Sequence, residues 1–566
     1  MRNDRLEVFQ QKLIAIVGKS RVYTESGKTR FYSTGIRVGS GEVCAVVFPK
    51  HLLELWEILE VSISFDKVII LQAANTGLTG GSTPDGNHYD RDVVIVNTLH
   101  LNQLVVLNSG SQILSFPGTT LYQLEEELLP FGRGPHSVIG SSCIGASVVG
   151  GICNNSGGNL INRGPAYTEL SLFARLNSEG KLVLVNHLDI DLGSSPQEIL
   201  TNLESLDFQK EDLPISDQLA SDTEYQHRVR DLNASTPARF NADERRLYES
   251  SGCAGKIAVF AVRLDTFSLP KKEQVFFVGS NDPSRFSILR EKILSTFEYL
   301  PDMGEYMHCS YFDGSDKYCK DTFLFLKYLG TSSLPQLLSF KRKIDRFAEQ
   351  VNFLPRNFSD RILQFIADLL PDHLPSRIRD FRERYDHYML FLTSDNSIEQ
   401  TEKLLELETT NQEEYEYIKC TEWEGKDALL HRYVAGSAPA RYRIMNFDKV
   451  GDILPLDIAL PRNCDSWHNI LPREILCQMA ESFQMGHFIC MVFHWDFVLK
   501  KGVDPVQVKD QILQILDKNK AKYPAEHNVG HLYKADPALE RFYRRLDPVN
   551  SFNSGIGKTS KKKYYN

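Results

Sequence analysis

Two glycine-rich segments of this chain have the composition of loops that bind a ligand through the backbone. The longer one, Gly140–Gly164, holds seven glycines among small and amide-bearing residues and only one charged residue, Arg163. Glycine permits positive φ and close approach of a ligand, and exposed N–H groups in such turns bind phosphate without basic side chains. The first segment along the chain, residues 72–82, follows the apolar run Lys67–Leu71, which is typical of a buried strand. Together the segments predict one large, multiply charged cofactor.

Neither segment fits the two commonest nucleotide-binding motifs. The GxxxxGK[ST] pattern is absent from both, and neither shows a strand, GxGxxG and helix followed by an acidic residue about 20 positions later. Taken alone, each segment is also compatible with ordinary tight turns. A nucleotide cofactor therefore requires a fold other than the P-loop and Rossmann types.

Several motifs, in order along the chain, carry a family resemblance. Ala73–Gly77, Pro117–Thr120 and Ile139–Gly158 resemble the flavin-binding half of the vanillyl-alcohol-oxidase superfamily. With Tyr523–Lys534 and Asn553–Lys561 included, nearly the whole chain resembles the bacterial quinone-dependent D-lactate dehydrogenases, which are peripheral membrane flavoenzymes. The resemblance implies an α+β fold with a two-subdomain FAD-binding domain of the p-cresol methylhydroxylase (PCMH) type.

The resemblance also implies a discontinuous arrangement of domains. An α+β cap domain and a mainly helical, basic, membrane-associating insertion interrupt the FAD-binding domain. The predicted ranges are the FAD-binding domain at 1–267 with its core at about 39–210, the cap at 268–306 and 386–517, the insertion at 307–385, and the return to the FAD-binding domain at 518–566.

The resemblance assigns FAD contacts to residues of the two glycine-rich segments and of a third small-residue turn, Ser250–Lys256, on the adenine side. A plain hairpin turn is the alternative for that third segment. Residues 75–82 contain no histidine for covalent attachment, so we expect non-covalent FAD. The predicted contacts are Ala73, Ala74, Asn75, Thr76, Gly77, Gly81, Ser82, Gly140, Ser147, Gly157, Gly255 and Ile257.

Oxidation of a 2-hydroxy acid needs a base that removes the hydroxyl proton beside the flavin, and histidine suits neutral pH. Glu526-His527 resembles a Glu-His-Gly motif of D-2-hydroxyacid dehydrogenases, in which the histidine is the proposed base. A hydrogen-bonded structural histidine is the alternative. Asn528 replaces the glycine of that motif, so the sequence leaves the adjacent turn open.

His487 and His494 have the spacing of two metal-binding histidines in glycolate and 2-hydroxyglutarate relatives, where the counterpart of Glu526 completes the site. Two imidazoles and a carboxylate suit a divalent metal such as zinc. Metal-free polar roles and ordinary structural histidines remain alternatives. A separation of seven sends two side chains to opposite faces of a regular strand, so a shared site requires a bend near His487.

Arg432 matches the family position that orients the substrate carboxylate, for which a guanidinium supplies two parallel donors. The alternative is a surface arginine on a helix.

The composition is that of an ordinary globular protein. The chain has 566 residues, of which 42% are hydrophobic and 24% charged, and a net charge of −9. The length favours three or so domains, and the charge, without any nucleic-acid-binding motif, argues against nucleic-acid binding. Ten cysteines without CxxC pairs argue against a zinc ribbon or disulfide scaffold. The segment from Asn202 to Asn233 is polar and aperiodic, which predicts a surface connection.

Membrane contact is expected to be peripheral. The N-terminus lacks the apolar core of a secretory signal, and no apolar run reaches spanning length. Residues 317–384 hold 13 Lys and Arg against eight acids, with apolar residues between them. This pattern suits an anionic phospholipid surface, or alternatively amphipathic helices whose apolar faces are core. The resemblance favours the membrane, at the cytoplasmic face of the bacterial inner membrane.

The resemblance thus implies that D-lactate is oxidised to pyruvate by hydride transfer to FAD N5, with electrons passing to membrane quinone. Two alternatives stay open: a D-2-hydroxyacid dehydrogenase of broader specificity with a soluble acceptor, and a catalytically silent, flavin-bearing protein that binds the membrane surface. The oligomeric state is not predicted.

Overall fold

The computed structural model describes residues 2–136, 145–214, 216–330, 341, 344, 357–410 and 415–566. Gly140, a predicted FAD contact, lies outside these residues. The elements below are numbered among the described residues alone.

Residues before position 270 form two sheets and a short ribbon. Their strands are β1 (Val22–Tyr23), β2 (Ala45–Val47), β3 (Val68–Gln72), β4 (Val93–Asn97), β5 (Leu104–Leu107), β6 (Gln112–Ser115), β7 (Arg133–Gly134), β8 (Ser171–Leu176), β9 (Leu182–Asn186), β10 (Ala258–Asp265) and β11 (Phe267–Ser268). Their helices are α1 (Arg2–Val17), α2 (Ser26–Thr29), α3 (Leu52–Ser64), α4 (Leu121–Leu128), α5 (Val148–Cys153), α6 (Pro196–Ser205) and α7 (Tyr225–Arg230).

The first sheet has the order β1-β2-β4-β3, and β2, β4 and β3 run parallel. Parallel strands are buried on both faces, which explains their continuous Val and Ile runs. The second sheet, β5-β6-β10-β8-β9, is antiparallel, and β7 pairs with β11. The C-terminus returns to the first sheet, where Ile69 of β3 exchanges backbone hydrogen bonds with Ser551 and Asn553, each 2.8 Å long.

The later residues build a seven-stranded sheet of order β15-β12-β14-β13-β17-β18-β16. Its strands are β12 (Glu273–Ser280), β13 (Met303–His308), β14 (His387–Ser394), β15 (Tyr415–Lys419), β16 (Val450–Ala459), β17 (Met479–His487) and β18 (Val492–Lys500). The helices are α8 (Ser284–Thr296), α9 (Cys309–Tyr318), α10 (Lys320–Leu329), α11 (Phe358–Leu369), α12 (Ser376–Arg384), α13 (Asn396–Thr409), α14 (Glu422–Val434), α15 (Ala438–Met445), α16 (Arg473–Leu476), α17 (Pro505–Lys518) and α18 (Pro537–Leu546).

Both faces of this sheet are buried, as its strand β12 shows. Phe276 and Val278 contribute to one apolar core, which includes side chains of α8, α13 and α17. Val275 and Phe277 point to the other core, shared with α9, α10, α12, α14 and α15. This alternation is the two-residue period of a strand.

The sequence prediction for residues 202–233 is wrong in part. Residues 225–230 form α7, and Tyr225 and Val229 are fully buried in the core on the α8 side of the seven-stranded sheet. The helix α7 could not be predicted from the sequence, because two apolar side chains four residues apart are not a clear helical pattern within a polar segment.

The hairpin between β17 and β18 brings two backbones unusually close. A Cβ on Gly486 would lie 2.4 Å from the carbonyl oxygen of Val492 and 2.8 Å from the Cα of Phe493. Met491 takes a left-handed conformation, with φ of 57°, between the strands. The tight connection therefore requires a residue without a side chain at position 486.

We predict that Gly486→Ala destabilises the protein by about 1 to 3 kcal/mol, because the added carbon meets backbone atoms that cannot rotate away. Differential scanning calorimetry should show a lower melting temperature for this variant. Gly27→Ala is the matched control, since a Cβ there meets no atom within 4 Å. Equal melting temperatures for both variants would contradict the proposed constraint.

Candidate active site

The β17–β18 hairpin brings His487 and His494 together. His494 pairs with Met485, two residues before His487, so the two histidines are diagonal neighbours on one face of adjacent antiparallel strands. Their Nε2 atoms lie 3.3 Å apart. The expected bend is present as the hairpin turn directly after His487, which resolves the conflict between a spacing of seven and a regular strand.

Glu526 completes a three-residue cluster with these histidines. Its Oε2 lies 3.3 Å from Nε2 of His487 and 3.6 Å from Nε2 of His494. Tetrahedral zinc with ligands at about 2.1 Å places ligand atoms about 3.4 Å apart. The donor set and its spacing therefore fit a zinc-type ion.

Each histidine is supported by a carboxylate on the strand that flanks the β17–β18 hairpin on its side. Glu305 of β13 stands opposite His487, whose Nδ1 lies 2.6 Å from Oε1 of Glu305. Asp457 of β16 stands opposite His494, with Oδ1 of Asp457 3.6 Å from Nδ1 of His494. Such partners orient the imidazole and leave the other ring nitrogen for the metal. Neither carboxylate is predicted from the sequence, because each lies far along the chain from the histidine that it supports.

Two buried arginines close the cluster. Arg432 of α14 lies 2.7 Å from Oε2 of Glu305, and Arg239 donates to Oε1 of Glu526 and to the carbonyl of Gly158. Two guanidinium groups and the three carboxylates Glu305, Asp457 and Glu526, each at most 8% exposed, leave one net negative charge. The cluster therefore favours one further positive charge, supplied by a proton or a metal ion.

These contacts displace the pKa values of the histidines in opposite directions. Burial disfavours the charged form of His487, but Glu305 and Glu526 raise its pKa to about 10. Burial lowers the pKa of His494 to about 4, and the charge on His487 adds to this effect. Burial also opposes ionisation of Glu526, yet His487 and Arg239 hold its pKa well below the usual range. These shifts favour a proton on His487 over one on His494 or Glu526.

His527 lies beside the cluster with 39% of its side chain exposed. Oδ2 of Asp457 accepts the backbone N–H groups of Glu526, at 2.8 Å, and His527, at 3.2 Å. The side chain of Asn528 accepts from the N–H of Gly530 at 2.7 Å, and Asn528 does not take a positive φ. The turn therefore forms without the glycine of the related motif.

Eleven of the twelve predicted FAD contacts are described, and they lie on loops that meet. An ideal Cβ at Gly145 would lie 4.0 Å from the Cβ of Ala74, so the first two loops face each other. Asn553 donates to the carbonyls of Gly81, at 2.8 Å, and Ala254, at 2.7 Å, and thereby joins the first loop to the third turn. All three glycine-rich elements thus border one region.

Individual contacts show how these loops are held. Asn75 takes φ of 55°, donates to the carbonyl of Thr34 and accepts from the hydroxyl of Ser82 at 2.8 Å. Ser147 caps α5 by accepting from Gly150. The remaining predicted positions among the described residues are Ala73, Thr76, Gly77, Gly157, Gly255 and Ile257.

Two observations fit a large cofactor in this region. A Cβ on Gly77 would meet no atom within 4 Å, so space is open above the first loop. Oδ1 of Asn553 is buried without a hydrogen-bond partner among the described residues.

A Cβ on Gly157 would lie 2.6 Å from Oε1 of Glu526, so the second loop lies directly against the histidine cluster.

Sequence comparison places this arrangement in a known family. Residues 275–565 match the family described as D-lactate dehydrogenase, membrane binding, and residues 43–182 match the FAD binding domain. The chain is 52% identical over 557 residues to the quinone-dependent D-lactate dehydrogenase of Escherichia coli K12, with 98% of this chain and 97% of that protein covered. The chain belongs to the quinone-dependent D-lactate dehydrogenase family.

Other relatives agree. Proteins of the same name from Haemophilus influenzae and Corynebacterium glutamicum are 49% and 40% identical, over 98% and 96% of this chain and 98% and 95% of theirs. Among solved structures, p-cresol methylhydroxylase with bound substrate matches with a TM-score of 0.58 at 10% identity, over 98% of this chain and 97% of that chain. The predicted α+β fold of the PCMH type is confirmed.

The structure brings together most of the predicted site residues of this family member. His487, His494, Glu526 and His527 lie in one region, and Arg432 reaches it through Glu305. None of the helices in the described ranges combines the length and apolar character needed to cross a bilayer. The roles of these residues and the domain boundaries remain predictions.

We predict that Glu305→Gln weakens binding of a divalent metal by 10- to 100-fold, because the variant loses both a negative charge and the partner that orients His487. Below pH 10 a proton on His487 competes with the metal, so apparent affinity in the parent protein should rise about tenfold per pH unit between pH 7 and 9. Competition of Co²⁺ or Zn²⁺ against a chromogenic chelator measures both effects.

Glu399→Gln is the matched control, since Glu399 is exposed and its ion pair among the described residues is with Lys403 on α13. Metal affinity of Glu305→Gln equal to that of this control would contradict the supporting role of Glu305.

Proposed function

We propose that this protein oxidises D-lactate to pyruvate with non-covalent FAD and passes the electrons to membrane quinone. The observation that carries the proposal is the direct contact between the second glycine-rich loop and the histidine cluster, at Gly157 and Glu526. This contact places the predicted FAD-binding loops next to the proposed base His527, the cation Arg432 and three candidate metal ligands. Membership of the quinone-dependent D-lactate dehydrogenase family supports the substrate and the acceptor.

The three glycine-rich elements would hold FAD through main-chain groups, with the side chains of Asn75, Ser82 and Ser147 shaping the loops. FAD, when bound, supplies the acceptor for the hydride that leaves C2 of the substrate. The protein would position the cofactor. Because the loops carry almost no charged side chains, backbone N–H groups would bind the phosphates.

His527 is the proposed base that takes the hydroxyl proton. Because Asp457 accepts both backbone N–H groups at positions 526 and 527, the turn holds the imidazole at the edge of the cluster, where part of it stays accessible. Oδ2 of Asp457 lies 3.9 Å from Nε2 of His527. This negative charge stabilises the imidazolium that forms when the ring accepts the proton.

Arg432 is proposed to orient the substrate carboxylate. Its Nη2 lies 2.7 Å from Oε2 of Glu305, and its buried Nε and Nη2 make no hydrogen bond among the described residues, so these donors would be available to a substrate carboxylate. His487, His494 and Glu526 would hold a divalent metal such as zinc. Such an ion, when bound, polarises the hydroxyl group and lowers its pKa.

The membrane partner is proposed to be the phospholipid surface at the cytoplasmic face, with the protein bound peripherally. The basic excess within residues 317–384 supports attraction to anionic headgroups. The predicted insertion at 307–385 and the cap at 268–306 and 386–517 are retained as proposed domain ranges. The described part of the insertion is helical, from α9 to α12.

An anaerobic titration tests the proposed function. Purified protein should be yellow, and D-lactate but not L-lactate should bleach the flavin absorbance, with pyruvate formed in equal amount. Colourless protein that stays so after addition of FAD, or bleaching by L-lactate alone, would overturn the proposal. Preference for a longer diacid together with a soluble acceptor would favour the broader 2-hydroxyacid dehydrogenase.

We predict that His527→Ala slows D-lactate-driven flavin reduction by about 10²- to 10⁴-fold, the contribution typical of a positioned base. Stopped-flow absorbance measures the rate, and the flavin content reports that the fold is intact. The control is His227→Ala, which removes an exposed histidine from α7. Unchanged reduction in His527→Ala would rule out its role as the base.

A further inference from the structure

Helix α11 turns its apolar side away from the protein. Four large apolar residues are exposed on it, namely Ile362 at 40%, Phe365 at 66%, Ile366 at 44% and Leu369 at 71%. Their spacing of three, one and three residues places them on one face, which we call the α11 apolar stripe. A surface helix of a globular protein normally directs such a stripe to the core, so the orientation of α11 is reversed.

The inward side of α11 is held by polar contacts. Asp360 is 7% exposed, accepts from Nζ of Lys341 and lies 3.6 Å from Arg441. Gln364 is 2% exposed and donates to the carbonyl of Lys317 at 2.9 Å. Rotating the helix to bury the stripe would break these contacts and leave buried polar groups unpaired. The outward direction of the stripe is therefore fixed by the fold.

The neighbouring helix α10 packs against α11. Nζ of Lys320, at the start of α10, donates to the carbonyl of Leu370, just after α11. Tyr328, near the end of α10, is 74% exposed. Tyrosine is enriched at the interface between membrane and water.

Many basic residues in the described part of the segment 317–384 are paired with acids. Six of them form ion pairs. They are Lys327, Lys341, Arg377, Arg379, Arg382 and Arg384. Paired charges attract anionic headgroups less than free ones, so the excess of positive charge in the sequence overstates the field of the described surface.

We propose that the α11 apolar stripe and Tyr328 enter the boundary between headgroups and acyl chains of a bilayer and hold the protein there even on uncharged lipid. Residues 275–565, which include α11, match a family described as membrane binding, and this identifies lipid as the occupant. An amphipathic helix lying in the interface buries an apolar face of this kind. The inference rests on the membrane partner of the proposed function and adds the contacting side chains and the dominant force.

The test measures sedimentation of the FAD-loaded, full-length protein with vesicles of pure phosphatidylcholine and of phosphatidylcholine mixed with phosphatidylglycerol. The double variant Phe365→Ser and Leu369→Ser should bind both kinds of vesicle at least tenfold more weakly, while D-lactate still bleaches the flavin. The parent protein should stay bound to the neutral vesicles at high salt.

The double variant Leu129→Ser and Leu407→Ser is the matched control. These leucines are 62% and 71% exposed, and Leu407 lies on α13, which packs on the opposite face of the seven-stranded sheet. This control should bind vesicles like the parent protein. A Phe365→Trp variant provides a second measurement, because brominated acyl chains should quench its fluorescence.

Other outcomes would overturn the inference. Binding by the parent protein only to anionic vesicles, with release by salt, would show attachment by charge alone. Loss of a dimer in the Phe365 and Leu369 double variant without lipid would show that a second copy covers the stripe. Absence of vesicle binding by the parent protein, with normal bleaching by D-lactate, would remove the membrane partner and leave the catalytic proposal standing.

Discussion

The register of four antiparallel strands fixes the geometry of the active-site region. In the order β13-β17-β18-β16, Glu305 stands opposite His487, and Asp457 stands opposite His494. A slip of one residue in any of these pairs would turn a whole set of side chains to the other sheet face. The close backbone contact at Gly486 leaves the central hairpin little freedom to slip. The sheet thus positions His487, His494, Glu305 and Asp457, and Asp457 in turn holds the turn that carries Glu526 and His527.

Around this register the charges alternate in a buried chain. Arg432, Glu305, His487, Glu526 and Arg239 follow one another in space, with each carboxylate between two basic groups. Removal of one partner from a buried pair is strongly destabilising, because the other charge then remains without compensation. The last arginine also bonds a carbonyl of the glycine-rich loop. The electrostatic network therefore connects α14 and the seven-stranded sheet to the glycine-rich loop at Gly158.

Local motifs in the sequence predicted the side chains that the structure brings together, but could not predict the residues that support them. The two histidines, Glu526 and His527 lie within recognisable short patterns. Glu305 is 182 positions from His487, and its role depends on strand order, which periodicity along the chain does not contain. The helical pattern of α11 is similarly visible, but its direction depends on partners of Asp360 and Gln364 elsewhere in the chain. The ion pairs of the basic residues likewise cannot be predicted from composition, because several of their acidic partners lie elsewhere in the chain.

The return of the C-terminus to β3 has a consequence for biosynthesis. Ile69 is synthesised well before its partners Ser551 and Asn553, which lie 482 and 484 positions further along the chain (551 − 69 and 553 − 69). At elongation rates of roughly 5 to 20 residues per second, the edge of the first sheet waits about 25 to 100 seconds for this partner segment. Asn553 also joins two of the glycine-rich elements, so that link forms equally late. A nascent chain stalled before this point would expose an unpaired strand edge, which is a substrate for chaperones.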